Sequence, residues 1–150
     1  MDKKIIEIGI LVRGFSVCSV EFQEMDISTE KNMRMMVFQG IVTFANALTG
    51  SNTSFFSMKK QTIYFTKKPI QGKHFPDGNE DIMCYLITKS YKKRKSLGNK
   101  EEKALEKNKS VFEKILDDFL ERYKDEPLVE EEKYKEFQEV IRDYAEKISL

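Results

Sequence analysis

The sequence has few of the residues on which catalytic sites usually depend. It contains one histidine, His74, and two cysteines, Cys18 and Cys84, which do not form a C-x-x-C pair. It has neither the G-x-S-x-G motif of serine hydrolases nor the G-x-x-x-x-G-K-[ST] motif of phosphate-binding loops. A lone histidine with no nucleophile paired to it is usually a surface residue. The sequence therefore predicts a protein that is not an enzyme, with no catalytic residue and no cofactor.

The one arrangement that resembles a metal site is a short acidic stretch. Asp77, Asn79 and Asp81 fall at alternate positions, as the first ligands of a calcium-binding EF-hand loop do. Such a loop requires Gly at its sixth position and Glu at its twelfth, and here those positions are Ile82 and Thr88. We therefore predict a turn at this point and no metal site.

The sequence also lacks a long apolar run. No stretch approaches the roughly 20 apolar residues that a transmembrane helix needs, and Glu7 and Arg13 interrupt the apolar residues near the N-terminus, unlike a signal peptide. Cys18 and Cys84 both lie inside apolar runs, which favours buried, reduced thiols over a disulfide. These features predict a cytoplasmic protein, and any contact with a membrane is expected to be peripheral.

Length and composition fit a single globular domain. The chain has 150 residues, of which 40% are hydrophobic and 34% are charged, enough for one hydrophobic core and too few for two comfortable domains. Its formal net charge is +1, whereas nucleic-acid-binding proteins usually carry a strong positive excess. We expect one domain over residues 1–150 and no nucleic-acid partner.

Hydrophobic periodicity predicts five strands and three helices. The predicted strands span residues 4–12, 15–22, 53–59, 61–67 and 81–90. The first helix begins at Ser28 or Thr29 and ends at Gly50, and two more follow a polar connector at 91–103 and are separated at Pro127. Residues 68–80, with their prolines and glycines, predict a long exposed loop. The strands at 4–12 and 81–90 are apolar on both faces, which places them in the middle of the sheet.

This order of elements resembles the longin domain, a member of the longin and roadblock group. The residues that carry the likeness are KKIIEIGILVRGFSVCSVEF, MVFQGIVTFANALTG, DIMCYLIT and FEKILDDFLERYKDEP. The chain looks most like the stand-alone longin domains of archaea, particularly those of the Asgard type. The resemblance implies an α/β domain of the α+β type with three layers (αβα). Its five-stranded antiparallel sheet has the order 2-1-5-4-3, with one helix on one face and two C-terminal helices on the other.

The same resemblance implies a scaffolding function. Members of the group pair with a second longin or roadblock subunit and contact small Ras-like GTPases or vesicle-trafficking machinery. We therefore expect a homodimer or heterodimer that binds or regulates a small GTPase. Two alternatives remain open, a small-molecule-sensing domain of the profilin-like or PAS-like kind, and a peripheral membrane-binding module. The sensing alternative requires an internal pocket with convergent polar groups.

The predicted first helix has apolar residues on two faces. Its core stripe consists of residues spaced three and four apart, namely Met33, Met36, Val37, Gly40, Ile41, Phe44, Ala45 and Leu48. At 100° per residue, Met35, Phe38 and Val42 gather on the far side. The outer face of a helix in a three-layer domain has nothing to pack on, so we predict a partner-binding surface there. The alternative is that the C-terminal tail or the 68–80 loop folds over it.

The strand next to this helix is the second part of the predicted interface. Phe15, Val17 and Ser19 lie on the strand at 15–22, which the resemblance places at the edge of the sheet. The unpaired backbone groups of an edge strand can extend a sheet onto a partner. Members of the longin and roadblock group commonly pair through this helix and strand, so the resemblance implies the same surface.

A cluster of positive charge marks the connector after the last strand. It consists of Lys89, Lys92, Lys93, Arg94 and Lys95. Packed cations of this kind can dock onto anionic lipid headgroups, at about 1 kcal/mol for each well-placed charge. The alternative is a solvated connector whose charges contribute little. We name these five residues as the predicted contact with an anionic surface.

Overall fold

The computed structural model describes residues 4–12, 15–23, 39–41, 43, 53–57, 61–72, 75–89, 99–123 and 134–150. The strands are β1 (Ile5–Val12), β2 (Phe15–Glu21), β3 (Thr53–Ser57), β4 (Gln61–Gly72) and β5 (Phe75–Lys89). The helices are α1 (Asn99–Tyr123) and α2 (Phe137–Ala145), and residues 39–41 and 43 are also helical. All pairings in the sheet are antiparallel and its order is β2-β1-β5-β4-β3. The predicted fold class and strand order are confirmed.

Each face of the sheet has its own hydrophobic core. The larger core lies against the C-terminal helices and includes Val111, Phe112, Ile115, Leu116 and Phe119 of α1 and Phe137, Ile141 and Ala145 of α2. The smaller core, on the other face, joins Ile41 of the helical residues 39–41 to Ile6, Leu11, Ile63, Phe65, Met83, Tyr85 and Ile87. The sheet therefore lies between the two C-terminal helices and the helical residues 39–41.

The two strands that are apolar on both faces occupy the middle of the sheet, as predicted. All eight residues of β1 are buried, and so are residues 82–88 of β5. β1 pairs with β2 and β5, and β5 pairs with β1 and β4. Because helices cover both faces here, each buried Ile or Leu contributes about 1.5–3 kcal/mol relative to an exposed one.

The predicted loop at residues 68–80 is wrong. β4 continues to Gly72 and β5 begins at Phe75, with Pro69 opposite Asp81 and Ile70 opposite Glu80. Pro69 lacks an N–H, but among the described residues the pairing of β3 with β4 ends at Thr66, so none of the described β3–β4 hydrogen bonds needs a donor at this position. Proline therefore lies within a longer strand here rather than at its end.

The first of the C-terminal helices begins earlier than the sequence predicted. α1 starts at Asn99, inside the predicted connector at 91–103. Glu101 and Glu102 lie in its first turn and Arg122 in its last, which complements the partial charges at the two helix ends. Among the described residues, no helix is both long and apolar enough to pass through a bilayer.

Both cysteines are buried free thiols, as predicted. Burial raises the pKa of the Cys84 thiol well above its usual range, so this group stays protonated. The Cys18 thiol donates a hydrogen bond to the backbone oxygen of Tyr134, with a distance of 3.4 Å from Sγ to oxygen. Cys18 thereby connects β2 to the segment that leads into α2.

Candidate functional site

Strand β2 lies at one edge of the sheet and carries three of the predicted partner-binding residues. The backbone of Phe15 pairs with that of Val12. Val17 is only 1% exposed and its side chain belongs to the core beneath the C-terminal helices, while Ser19 is half-buried. A partner on this edge would therefore meet main-chain groups rather than the Val17 side chain.

The parity of the β1–β2 ladder shows which backbone groups of β2 face outward. The Phe22 N–H donates to the backbone oxygen of Ile6, with an N···O distance of 2.7 Å, so Phe22 points towards β1. Residues at odd and even positions of an antiparallel strand alternate between its two sides. Ser19, three residues earlier, therefore directs its N–H and C=O away from β1.

The outward carbonyl of Ser19 already has a partner within the chain. Gln138 of α2 donates from Nε2 to the Ser19 oxygen at 2.9 Å. A bulge lies next to this point, because Ile10 pairs with Cys18 whereas Leu11 pairs with Ser16. Bulges and capped groups both reduce uncontrolled pairing at a sheet edge. The outward N–H of Ser19 remains the group through which β2 would extend the sheet.

Sequence reasoning did not find Gln138. The contact joins residues 119 positions apart, so it depends on where α2 lies against β2. The sequence offered one weak indication of this contact: Gln138 is a polar residue close to Phe137 and Ile141, both of which are fully buried.

The predicted anchors of the first helix, Met35, Phe38 and Val42, lie outside the described residues, and their role stays a prediction. The neighbouring described residues show how the helix is oriented. Ile41 is 0% exposed and packs in the smaller core, whereas Gln39 and Thr43 are exposed. This agrees with the predicted core stripe, of which Ile41 is a member.

The C-terminal residues lie on the opposite face of the sheet from this helix. Ile148 is buried in the larger core. Asn108 of α1 holds the end of the chain, since its Nδ2 donates to the Ser149 oxygen at 2.7 Å and its Oδ1 accepts from the Ser149 N–H at 2.9 Å. Residues 134–150 therefore do not cover the outer face of the first helix, which removes one of the two alternatives considered for that face.

A buried polar pair lies in the smaller core. Glu7 and Tyr85 are both 0% exposed, and the Tyr85 hydroxyl donates a hydrogen bond to Oε2 of Glu7. Gly9 pairs with Tyr85 in the ladder, and the absence of a side chain there makes room for the Tyr85 ring. Buried polar groups require such partners, so this pair fixes how β1 and β5 align.

Of the predicted anionic-surface residues, Lys89 is described, and 92–95 lie outside the described residues. Lys89 contributes to the wall of a cavity of about 50 Å³, together with Lys4 and Lys100. Lys4 is adjacent because β1 runs antiparallel to β5, and the Lys89 N–H donates to the Lys4 oxygen at 2.8 Å. The sequence predicted neither Lys4 nor Lys100 at this site, although the strand order implied that Lys4 adjoins Lys89.

No metal-binding arrangement is present in the parts of the chain that the structure describes. Within them, no group of three or more His, Cys, Asp or Glu side chains could hold an ion. His74 and the preceding residue lie outside the described residues.

The chain matches no protein-family model, and no curated protein matches it. Its class is therefore defined by geometry. It is an α+β protein whose five-stranded antiparallel sheet has the order β2-β1-β5-β4-β3 and carries helices on both faces.

Proposed function

We propose that this protein is a non-catalytic scaffold that pairs with itself or with another longin or roadblock subunit and binds or regulates a small Ras-like GTPase. The observation that carries the proposal is the sheet order β2-β1-β5-β4-β3 with helices on both faces. This is the arrangement that the longin resemblance implies, and the resemblance supplies the class of function.

The position of β2 supports a pairing surface on one side of the domain. β2 is an edge strand, and Ser19 directs its main-chain groups outward. The described C-terminal residues pack on the opposite face from the first helix. In this proposal, the outer face of that helix and the edge of β2 together receive the partner, with Met35, Phe38 and Val42 as the apolar contacts.

The first test is a charge at the centre of the proposed apolar contact. We expect Phe38→Glu to give a folded monomer, because an unpaired charge buried in an interface costs about 3 kcal/mol, which weakens pairing more than a hundredfold. The measurement is solution mass by light scattering coupled to size exclusion, with circular dichroism to check folding. Ser110→Glu is the matched control, since Ser110 is exposed on α1, on the other face of the sheet from the first helix, and the same charge there should leave pairing intact. A Phe38→Glu protein that still pairs would rule out this surface.

The second test removes one main-chain donor from the edge of β2. Ser19→Pro eliminates the outward N–H, and proline is tolerated on an edge strand where the N–H does not face the ladder. We expect a folded protein that no longer pairs, whereas Ser19→Ala, which keeps the N–H, should pair like the unmodified protein. The solution mass of both variants, measured by light scattering coupled to size exclusion, tests this expectation. Equal pairing by the two variants would show that the partner does not bond to this donor.

A further inference from the structure

The hydrogen bond from Gln138 to Ser19 joins α2 to the strand edge where partner binding is proposed. Gln138 donates from Nε2 to the backbone oxygen of Ser19 at 2.9 Å. The Phe22 N–H points to β1, where it bonds to the Ile6 oxygen, so Ser19 directs its N–H and its C=O away from β1. The Gln138 side chain therefore occupies an acceptor that a strand added beside β2 would use.

Ser19 is the regular outward position nearest the middle of this edge. In an antiparallel ladder, a hydrogen-bonded pair of residues exchanges both of its N–H···O=C bonds. Outward positions alternate along a strand, so the neighbours of Ser19 in this row are Val17 and Glu21. Val17 lies in the bulge, where the pairing passes from residue 18 to residue 16 of β2 over a single step of β1. A capped oxygen at Ser19 therefore removes half of the bonds that the best-placed residue offers.

The position of Gln138 is fixed by contacts on both sides of it. The preceding residue, Phe137, is 0% exposed, which holds the start of α2 in the larger core. On β2, the Cys18 thiol donates to the backbone oxygen of Tyr134 at 3.4 Å. Cys18 and Ser19, two consecutive residues of β2, thus both bond to the segment that enters α2. Gln138 itself is only half-buried, so rotation of its side chain is enough to release the Ser19 oxygen without moving α2.

Gln138 and a partner strand compete for one oxygen atom. A carbonyl oxygen has two lone pairs, but adjacent strands lie only about 4.8 Å apart, and the Gln138 amide nitrogen already lies 2.9 Å from the Ser19 oxygen. A strand that arrives beside β2 must therefore displace the amide or form a poorer hydrogen bond. Either event costs about the net worth of one hydrogen bond, which corresponds to roughly a fivefold loss of affinity.

We propose that Gln138 regulates pairing at the edge of β2 by competing with the partner strand for the Ser19 oxygen, and that this strand is β2 of a second copy of the chain. The inference rests on the proposed function, because it concerns the same edge. In a twofold-symmetric pair the same surface of both copies meets. Each copy therefore contributes one Ser19 oxygen that its own Gln138 covers, and the competition acts twice.

The first test is the dissociation constant of self-pairing, measured on the full chain by sedimentation velocity over a range of concentrations. Gln138→Met keeps an unbranched side chain of similar length but has no N–H donor. We expect it to tighten pairing about 25-fold, since two oxygens are released and each is worth about fivefold. Glu139→Met is the matched control, because Glu139 is adjacent and exposed, and pairing should not change. Equal dissociation constants for Gln138→Met and the unmodified protein would overturn the proposal.

The second test does not depend on self-pairing. An acetylated peptide with the sequence of residues 15–21, in which serine replaces Cys18 to prevent oxidation, is titrated against labelled protein by microscale thermophoresis. The protein is kept below the dissociation constant of self-pairing. Gln138→Met should bind the peptide about fivefold more tightly, since only one oxygen is released, and Ser19→Pro should not bind it. A peptide that binds Gln138→Met and the unmodified protein equally, or binds neither, contradicts the competition.

Together the two tests separate a failure of this proposal from a failure of the proposed function. A chain that stays a single copy but binds the peptide more tightly as Gln138→Met supports the competition and contradicts self-pairing. A chain that pairs with the same constant with and without Gln138 supports pairing and overturns the competition. Gln138→Asn, whose amide is one methylene shorter, is the second variant if circular dichroism shows that Gln138→Met folds poorly, and it should give the same gains.

Discussion

Gly9→Ala is expected to lower the free energy of unfolding by about 3 kcal/mol, at the upper end of the usual cost of overpacking a core. A Cβ at this position would lie 2.5 Å from Cζ and 2.6 Å from Cε1 of Tyr85, and closer still to its hydroxyl oxygen. Tyr85 is 0% exposed and its hydroxyl bonds to Glu7, so its ring cannot move without losing packing and leaving a buried carboxyl group without this donor. Where space allows, the same substitution usually stabilises a protein.

Urea unfolding followed by circular dichroism measures this effect, and a double-mutant cycle assigns its cause. Tyr85→Leu removes the ring atoms that the new Cβ would meet. Adding Gly9→Ala to Tyr85→Leu should therefore cost at least 2 kcal/mol less than adding it to the unmodified protein, since contacting residues are coupled to about this extent. If the free-energy costs of Gly9→Ala and Tyr85→Leu simply add in the double mutant, the proposed contact between the Gly9 backbone and the Tyr85 ring is contradicted.

Phe119→Ala is expected to destabilise the protein by about 4 kcal/mol. The Phe119 side chain is 0% exposed, and its ring centroid lies 5.0 Å from that of Tyr123, 5.3 Å from that of Tyr134 and 5.1 Å from that of Phe137. These rings join α1 to α2 and to the segment before it. Truncation removes a large buried apolar area and the aromatic contacts together.

The same urea experiment provides the measurement, with Leu120→Ala as its control. Leu120 is the next residue and is only partly buried, so its truncation should cost about 1 kcal/mol. Hydrogen exchange adds a local readout, because loosening α2 should release Gln138 from the Ser19 carbonyl and speed amide exchange in β2. Equal costs for the two truncations would mean that the aromatic cluster does not hold the two helices together.

The parts of the fold that could be predicted are those that follow from local patterns of apolar residues. β1 and the second half of β5 are apolar on both faces, and this property alone placed them in the middle of the sheet. Ile41 belonged to a stripe of three- and four-residue spacing and is buried as expected. The loop predicted at residues 68–80 is wrong because that prediction used proline and glycine rather than an apolar pattern. Proline and glycine are local signals, and they do not show that residues 67–72 pair with the first half of β5.

The details of the candidate sites depend on register and on contacts between distant residues. Glu7 was noted only as an interruption of an apolar run, and its partner Tyr85 is set by the strand register after the irregularity between Ile5 and Glu7. The contact of Gln138 with Ser19 depends on the docking of α2. The run of positive charges in the sequence identified Lys89, but the cavity that it shares with Lys4 and Lys100 forms only where five segments of the chain meet.

The measurement that tests the central claim most directly is the solution mass of the purified protein, by light scattering coupled to size exclusion over a range of concentrations. Pairing through the first helix and the edge of β2 predicts a mass of twice the 17.6 kDa of one chain, and one that falls to a single chain in Phe38→Glu. A mass of 17.6 kDa at every concentration would contradict self-pairing through this surface.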